Sequence, residues 1–133
     1  MNNYKYYDYL YRNNINNMNN QNLFNPKEGF EKGNMFSNLY SEYKNYQSMN
    51  LRPRNEQEKK LFEIQAICFA AHDLNLYLDM NPADQSMVTL FNDYVKKEEE
   101  LIREYESVYG PMTVNNNISE WVNSKWPWEV DNV

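Results

Sequence analysis

Two apolar stripes of helical spacing, separated by an Asn-Pro dipeptide, constrain the fold of this chain more than any other feature. In the first stripe, apolar side chains recur three or four positions apart, which places them on one side of a helix. They are Leu61, Ile64, Ile67, Cys68, Ala71, Leu74 and Leu78. The second stripe has the same spacing and comprises Met87, Leu90, Phe91, Tyr94, Leu101, Ile102, Tyr105 and Tyr109. The pattern predicts two amphipathic helices within about residues 56–109.

The residues between the stripes predict how the two helices connect. Asn81 precedes Pro82, and a residue before proline is pushed out of the helical region, so the first helix should end there. Asn81 can also cap the second helix, with Pro82 in its first turn, and Gly110-Pro111 should terminate it. A connection this short makes neighbouring helices antiparallel. The predicted fold class is therefore all-α, with an antiparallel two-helix hairpin as its centre.

Such a hairpin has a limited shared interface. Burying roughly ten large apolar side chains at about 1.5–3 kcal/mol each barely offsets the entropy of ordering some fifty residues. We therefore expect another surface to cover the hairpin. It could come from the C-terminal zone of the chain, from another copy in a homo-oligomer, or from a different protein.

The regions flanking the hairpin differ from it in composition. Residues 1–54 are rich in Asn and Tyr and are predicted to be largely flexible, with one or two short helical turns between Pro26 and Tyr46, where Gly29 and Gly33 interrupt any longer helix. We assign residues 55–129 to a second region that combines the hairpin with a Trp-rich C-terminal extension. That extension contains Trp121, Trp126, Pro127 and Trp128. These tryptophans could fold back over the hairpin or dock into a partner protein, where Trp often dominates the binding energy.

Charge and apolar content exclude several classes of partner. The net charge is -6, and residues 51–133, with eight basic and fifteen acidic side chains, carry all of the acidic excess. An acidic surface is unsuited to nucleic acid or to anionic lipid headgroups. The longest unbroken apolar run, Ile67 to Ala71, is far too short for membrane insertion. The polar start of the chain and its single cysteine favour a reducing cytoplasm over secretion.

The sequence contains no arrangement that supports catalysis. His72 is the one histidine, and it has no Glu-x-x-His spacing or cysteine pair with which to bind a metal. Cys68 lies on an apolar stripe and has no basic residue nearby in the sequence to lower the pKa of its thiol. We therefore predict no catalytic, metal-binding or cofactor-binding residues and interpret the chain as a non-enzymatic interaction module.

Three runs of residues resemble the spore coat protein CotJB family. The run from His72 to Asp84 contains Asp-Leu-Asn-Leu-Tyr-Leu-Asp followed by Pro82 and Asp84, which is similar to a signature of that family. The run Tyr105–Pro111 resembles its YE-x-x-YGPL motif, with Met112 in place of the usual Leu. Trp121 and Trp126–Glu129 resemble its W…PWPWE ending, with Lys125 and Trp126 where the first Pro and Trp would fall. Together the resemblance covers about residues 58–129.

A second resemblance lies in front of the hairpin. Residues 25–40 are similar to the P-x-E-G/A-x-x-x-G-x-x-F-x-x-L-Y motif of the small CotJA coat-associated proteins, and the CotJA-like region is expected within about residues 25–46. The two resemblances imply a fusion of two coat components. They further imply a structural protein of the bacterial endospore coat that is made in the cytoplasm of the mother cell. The implied partners are other coat proteins, CotJA-like proteins and CotJC, which resembles manganese catalases.

We predict that ten residues mediate protein interactions: Trp121, Trp126, Pro127, Trp128, Asn75, Tyr77, Phe30, Phe36, Leu39 and Tyr40. For Asn75 two roles are open, a buried hydrogen bond that fixes the hairpin register or a contact with the backbone of a partner. A coat component is one function that fits these residues. A soluble helical adaptor or chaperone for an enzyme, never built into the coat, is the alternative.

Overall fold

The computed structural model describes residues 23–41, 43–47, 51–114 and 118–123, and most of these residues lie in helices. Helix α1 spans Pro26–Lys32, a 3-10 turn spans Ser37–Leu39, α2 spans Glu56–Met80, α3 spans Gln85–Tyr109 and α4 spans Ile118–Asn123. Within the described ranges, the extended backbone forms no strand beyond one antiparallel bridge between Leu23 and Phe36. The predicted all-α class and its two long helices are confirmed.

Helix α2 begins and ends at residues that satisfy its free backbone groups. The side chain of Asn55 accepts a hydrogen bond from the Glu58 N–H at 2.8 Å, which caps the N-terminus. At the other end, the N–H of Asn81 donates to the carbonyl oxygens of Tyr77 and Leu78. Asn81 therefore closes α2.

The prediction that Asn81 caps the second helix is wrong. Helix α3 begins three residues later than Pro82, at Gln85, and its N-cap is Asp84, whose Oδ1 accepts the Met87 N–H at 3.2 Å. Asn81 lies four residues before Gln85, and its backbone N–H and side-chain amide both donate to carbonyls of α2 instead. The end of α3 agrees with the prediction: Gly110 adopts a φ of 93°, and its N–H donates to the Glu106 carbonyl.

The apolar stripes of α2 and α3 meet in the core. The fully or nearly fully buried members are Ile64, Ile67, Ala71 and Leu74 from α2 and Met87, Leu90, Tyr94, Leu101 and Tyr105 from α3. Polar contacts join the same two helices at their edges. Gln57 donates to the hydroxyl of Tyr105 at 3.0 Å, and Lys60 pairs with Glu104 at 3.2 Å, so the beginning of α2 lies beside the end of α3.

A third contribution to this core comes from the front segment, which we define as residues 23–40. Met35 is completely buried and belongs to the same apolar cluster as Ile67, Leu74 and Met87. Residues 23–40 therefore differ from the expectation of a largely flexible front region. The additional surface that the hairpin requires is supplied, in these residues, by the chain's own N-terminal side, a source that the sequence interpretation did not consider.

Gly29 and Gly33 have different roles in the front segment. Gly33 ends α1 with a φ of 72°, a left-handed conformation that glycine adopts without strain. Gly29, by contrast, does not interrupt a helix, because it is buried within α1. A Cβ atom at Gly29 would collide with the sulfur of Met35. The absence of a side chain at Gly29 thus leaves room for the buried Met35 thioether.

Candidate protein-interaction surface

The contact that fixes the front segment on α2 is a hydrogen bond from backbone to side chain. The N–H of Met35 donates to Oδ2 of Asp73 at 2.8 Å, across 38 positions of sequence. Because a carboxylate acceptor makes a hydrogen bond stronger than a neutral one, this bond holds the backbone of the segment beside α2. Asp73 begins the Asp-Leu-Asn-Leu-Tyr-Leu-Asp run that resembles CotJB. Its structural role here is to bind the front segment.

Aromatic pairs continue the same contact along α2. The ring of Phe30 packs against Phe62 at 5.6 Å and against Phe69 at 5.9 Å, measured between ring centroids. Further along, the ring of Phe36 lies 5.2 Å from that of Tyr77. Tilted and edge-to-face pairs of this kind stabilise by about 0.5–1.5 kcal/mol each beyond the area they bury. The front segment therefore follows α2 in the direction of increasing residue number.

A cation also organises the end of the front segment. The Lys32 ammonium lies 4.8 Å from the ring centroid of Tyr40 and 5.4 Å from that of Phe24. The two rings meet edge to face at 5.9 Å. The N–H of Phe24 donates to the carbonyl of Met35 at 2.8 Å, so the residues before and after α1 are joined directly. These contacts join the beginning of the front segment to its end.

Tyr77 links this surface to the turn between the long helices. Its hydroxyl lies 3.1 Å from Oδ2 of Asp84, while the other oxygen of Asp84 accepts from the Ser86 hydroxyl at 2.6 Å and from the Met87 N–H. Asp73, Tyr77 and Asp84 thus all make intramolecular contacts. Three residues of the CotJB-like run therefore stabilise the fold of the chain itself.

The ten predicted interaction residues lie in different environments. Phe30, Phe36, Tyr40, Tyr77 and Trp121 are half-buried, whereas Leu39 and Asn75 are exposed. Leu39, at 70% exposure, is available to a partner. Because Asn75 is exposed, it is not the buried polar group that would fix the hairpin register, and its contact with a partner stays a prediction. Trp126, Pro127 and Trp128 lie outside the described residues.

Cys68 lies at the edge of the interface between the two long helices. Its thiol donates to Oε1 of Glu98 at 3.1 Å. Burial first, and then this hydrogen bond with the carboxylate, raise the pKa of the Cys68 thiol to about 12. A thiol in this state is almost entirely protonated at neutral pH and is a poor nucleophile.

The His, Cys, Asp and Glu side chains of the described ranges do not cluster as metal ligands. His72 is exposed on α2. Those ranges contain no group of three or more His, Cys, Asp or Glu side chains able to hold a metal ion. What the described residues present is a set of packing and hydrogen-bonding contacts.

Two residues of this surface were not among the predicted interaction residues. Asp73 stood within the CotJB-like run, but as an acidic residue on a helix it gave no sign of a long-range partner. Met35 was visible only as one apolar residue in an Asn-rich stretch. A signal did exist in Gly29, because a glycine within a short helix is typical of a close approach by another part of the chain.

Comparison with protein families identifies the chain. Residues 58–129 match the model of the CotJB protein family, which is more than half of the sequence. The chain belongs to the CotJB family. Membership makes it a spore coat-associated protein of a family that is not a known enzyme family. No curated protein and no solved structure matches the chain significantly.

The matched residues of the CotJB family and the front segment meet in one core. The family match begins at residue 58 and contains Asp73 and Tyr77, while Met35 and Phe36 lie outside it.

Among the helices of the described ranges, none is both long enough and apolar enough to cross a lipid bilayer.

Proposed function

We propose that this CotJB protein is a non-catalytic structural component of the endospore coat, in which an antiparallel helix hairpin binds other coat proteins. The family match over residues 58–129 carries the proposal. The described surface supports it, since its polar residues Asp73, Tyr77 and Asp84 are engaged in structural hydrogen bonds. In this proposal the protein is made in the cytoplasm of the mother cell and is then built into the coat.

We further propose that the front segment is a CotJA-like motif fused to the hairpin. The hydrogen bond from Met35 to Asp73 and the packing of Phe36 on Tyr77 support this, because they join the two regions through specific contacts. In this view the chain joins two coat components covalently, and their mutual contact is built in. A manganese-catalase-like protein is the external partner that we expect it to bind.

Fractionation of sporulating cells tests the location. A tagged full-length chain should appear during sporulation and should be extracted from purified spores together with the coat proteins. A chain that stays soluble in the mother cell and is absent from the coat extract would contradict a structural role. The same chain in a soluble, stoichiometric complex with an enzyme would instead identify it as an adaptor.

Capture from the same cells tests the partner. A chain carrying Trp126→Ala and Trp128→Ala should lose the manganese-catalase-like protein from its captured set, as identified by mass spectrometry. Val122→Ala is the matched control, since Val122 is 66% exposed beside the same tail, and it should leave capture unchanged. Unaltered capture by the double variant would refute a partner role for these tryptophans.

Removing residues 118–133 distinguishes the two roles that remain open for the tryptophans. If the tail covers its own hairpin, the truncated chain should unfold at a lower urea concentration. If the tail binds only a partner, stability should be unchanged while capture is lost.

A further inference from the structure

The face of α2 that carries the front segment continues beyond it. Phe62, Phe69 and Asp73, which contact the front segment, are spaced so that they lie on one face of the helix. Met80 lies two turns further along the same face, and Leu76 lies one turn before Met80. Met80 is 82% exposed and Leu76 is 51% exposed. The last part of this face is therefore uncovered.

The front segment adds a third exposed apolar side chain at this end of α2. Phe36 packs on Tyr77, and Leu39, whose N–H donates to the Phe36 carbonyl, is 70% exposed. We call Leu39, Leu76 and Met80 the apolar patch. Scattered exposed apolar residues are ordinary, but a group of them beside a packed aromatic pair and among polar residues indicates an interaction site.

The charge around the apolar patch specifies the chemistry of the partner. Residues 69–95, which are the turn and the adjoining halves of the two long helices, carry four acidic side chains and neither lysine nor arginine. Asp79 is exposed on α2 between Leu76 and Met80, and none of the ion pairs of the described residues involves it. This end of the hairpin therefore attracts a cationic segment. The basic residues of the two long helices lie outside this range and are Lys59, Lys60, Lys96, Lys97 and Arg103.

The same charges disfavour two occupants that the chain itself could supply. A second copy related by a two-fold axis at this end would place Asp79 and its acidic neighbours against the same residues, which repel one another. The C-terminal residues 124–133 carry one basic and two acidic side chains, so they are not a cationic complement. The complementary ligand is a segment that combines basic residues with large apolar ones, as a basic amphipathic helix does.

We propose that the apolar patch and Asp79 together bind a basic segment of another coat protein that is anchored by large apolar side chains. This inference rests on the proposed function and adds the surface and the chemistry of the partner. Leu76 and Met80 supply apolar contact area, and the flexible Met side chain adapts to the shape of its neighbours. Asp79 pairs with a Lys or Arg of the partner, an interaction that governs partner choice more than affinity.

Site-specific photocrosslinking in sporulating cells tests the proposal. The full-length chain carries Met80→p-benzoylphenylalanine, an exposed substitution that leaves the core intact, and mass spectrometry maps the residues joined to it. We expect an adduct with a segment of another protein in which Lys and Arg outnumber Asp and Glu and large apolar residues are present. Val108→p-benzoylphenylalanine is the matched control, since Val108 is 65% exposed near the other end of the hairpin, and it should not give this adduct.

Charge reversal tests the electrostatic part of the match. Adding Asp79→Lys to the crosslinking chain should lower the yield of the adduct about tenfold, because it places like charges against each other. Glu99→Lys is the control, since Glu99 is exposed on α3 outside residues 69–95 and its reversal changes the net charge by the same amount. This control should leave the yield unchanged.

Several results would overturn the proposal. They are the absence of an adduct at position 80, an adduct with the chain's own residues or with a second copy, an adduct with a neutral or acidic segment, and equal yields from the two charge reversals. None of these results bears on whether the chain is extracted with the coat proteins, so failure here is distinguishable from failure of the proposed function.

Discussion

Truncation of Met35 should reveal how much of the protein's stability depends on the front segment. Met35 is completely buried and packs in the cluster that also contains Ile67, Leu74 and Met87. Replacement of a buried Met by Ala removes its apolar contacts and leaves a cavity, which costs about 2–5 kcal/mol. A small domain is stable by only about 5–15 kcal/mol, so Met35→Ala should remove a large fraction of the total.

Urea unfolding followed by circular dichroism at 222 nm is the appropriate assay. The midpoint should fall to a clearly lower urea concentration for Met35→Ala, with the slope nearly unchanged. Leu39→Ala is the matched control, since Leu39 belongs to the same segment but is 70% exposed, and its unfolding free energy should change by less than about 0.5 kcal/mol. Equal behaviour of the two variants would refute the claim that the front segment shares the hairpin core.

Three further predictions concern contacts around the same core. Asp73→Ala should lower the unfolding free energy in the same urea assay by about 1–3 kcal/mol, because it leaves the part-buried Met35 N–H without its acceptor. Asp73→Asn keeps an oxygen at this position and should retain most of the stability. Gly29→Ala should lower the unfolding free energy by about 1–3 kcal/mol in the native chain, although Ala has the better helix propensity. In a chain that also carries Met35→Ala, the same substitution should be neutral or stabilising, because the sulfur atom it would collide with is gone. Destabilisation in both backgrounds would exclude the proposed clash. Cys68 should react with iodoacetamide at pH 8 about a thousandfold more slowly than a free thiol, because its pKa is raised to about 12. Glu98→Gln should speed the reaction, because it removes the carboxylate that raises this pKa. A rate for the folded chain equal to that of the urea-unfolded chain would contradict the burial argument. Because the folded pKa of this thiol lies above its unfolded value, its contribution to stability is present below about pH 8.5 and declines as the pH rises from there.

The two long helices could be predicted because their signals are local. Apolar spacing identifies the buried stripes of α2 and α3, and Gly110-Pro111 marks the end of α3, with each signal lying within a few residues of the structure it specifies. The start of α3 was misplaced because Asn81 and Asp84 are both good capping residues. The choice between them depends on which one is already used by α2, and this is a property of the folded turn.

The packing of the front segment could not be predicted from the same signals. Helix α1 has seven residues, too few to be stable or recognisable without the surface it packs on. Its anchor is a hydrogen bond that joins Met35 to Asp73 across 38 positions, and no local pattern encodes such a pair. Phe30, Phe36 and Tyr77 were predicted to contact a partner protein, and in the structure their rings pack against other rings of the same chain. The hydrogen bond that positions them was not predicted.

Hydrogen exchange at the Met35 amide tests the central claim most directly, since that N–H is bonded to Asp73 and lies in the core that the front segment shares with the hairpin. Measured by NMR on the full-length chain, the Met35 amide should be protected to a degree comparable with the amides of Ile67 and Leu74, because all three should exchange through unfolding of a shared core. Protection at Ile67 and Leu74, together with exchange at Met35 as fast as in an unstructured peptide, would contradict a core formed jointly by the front segment and the hairpin.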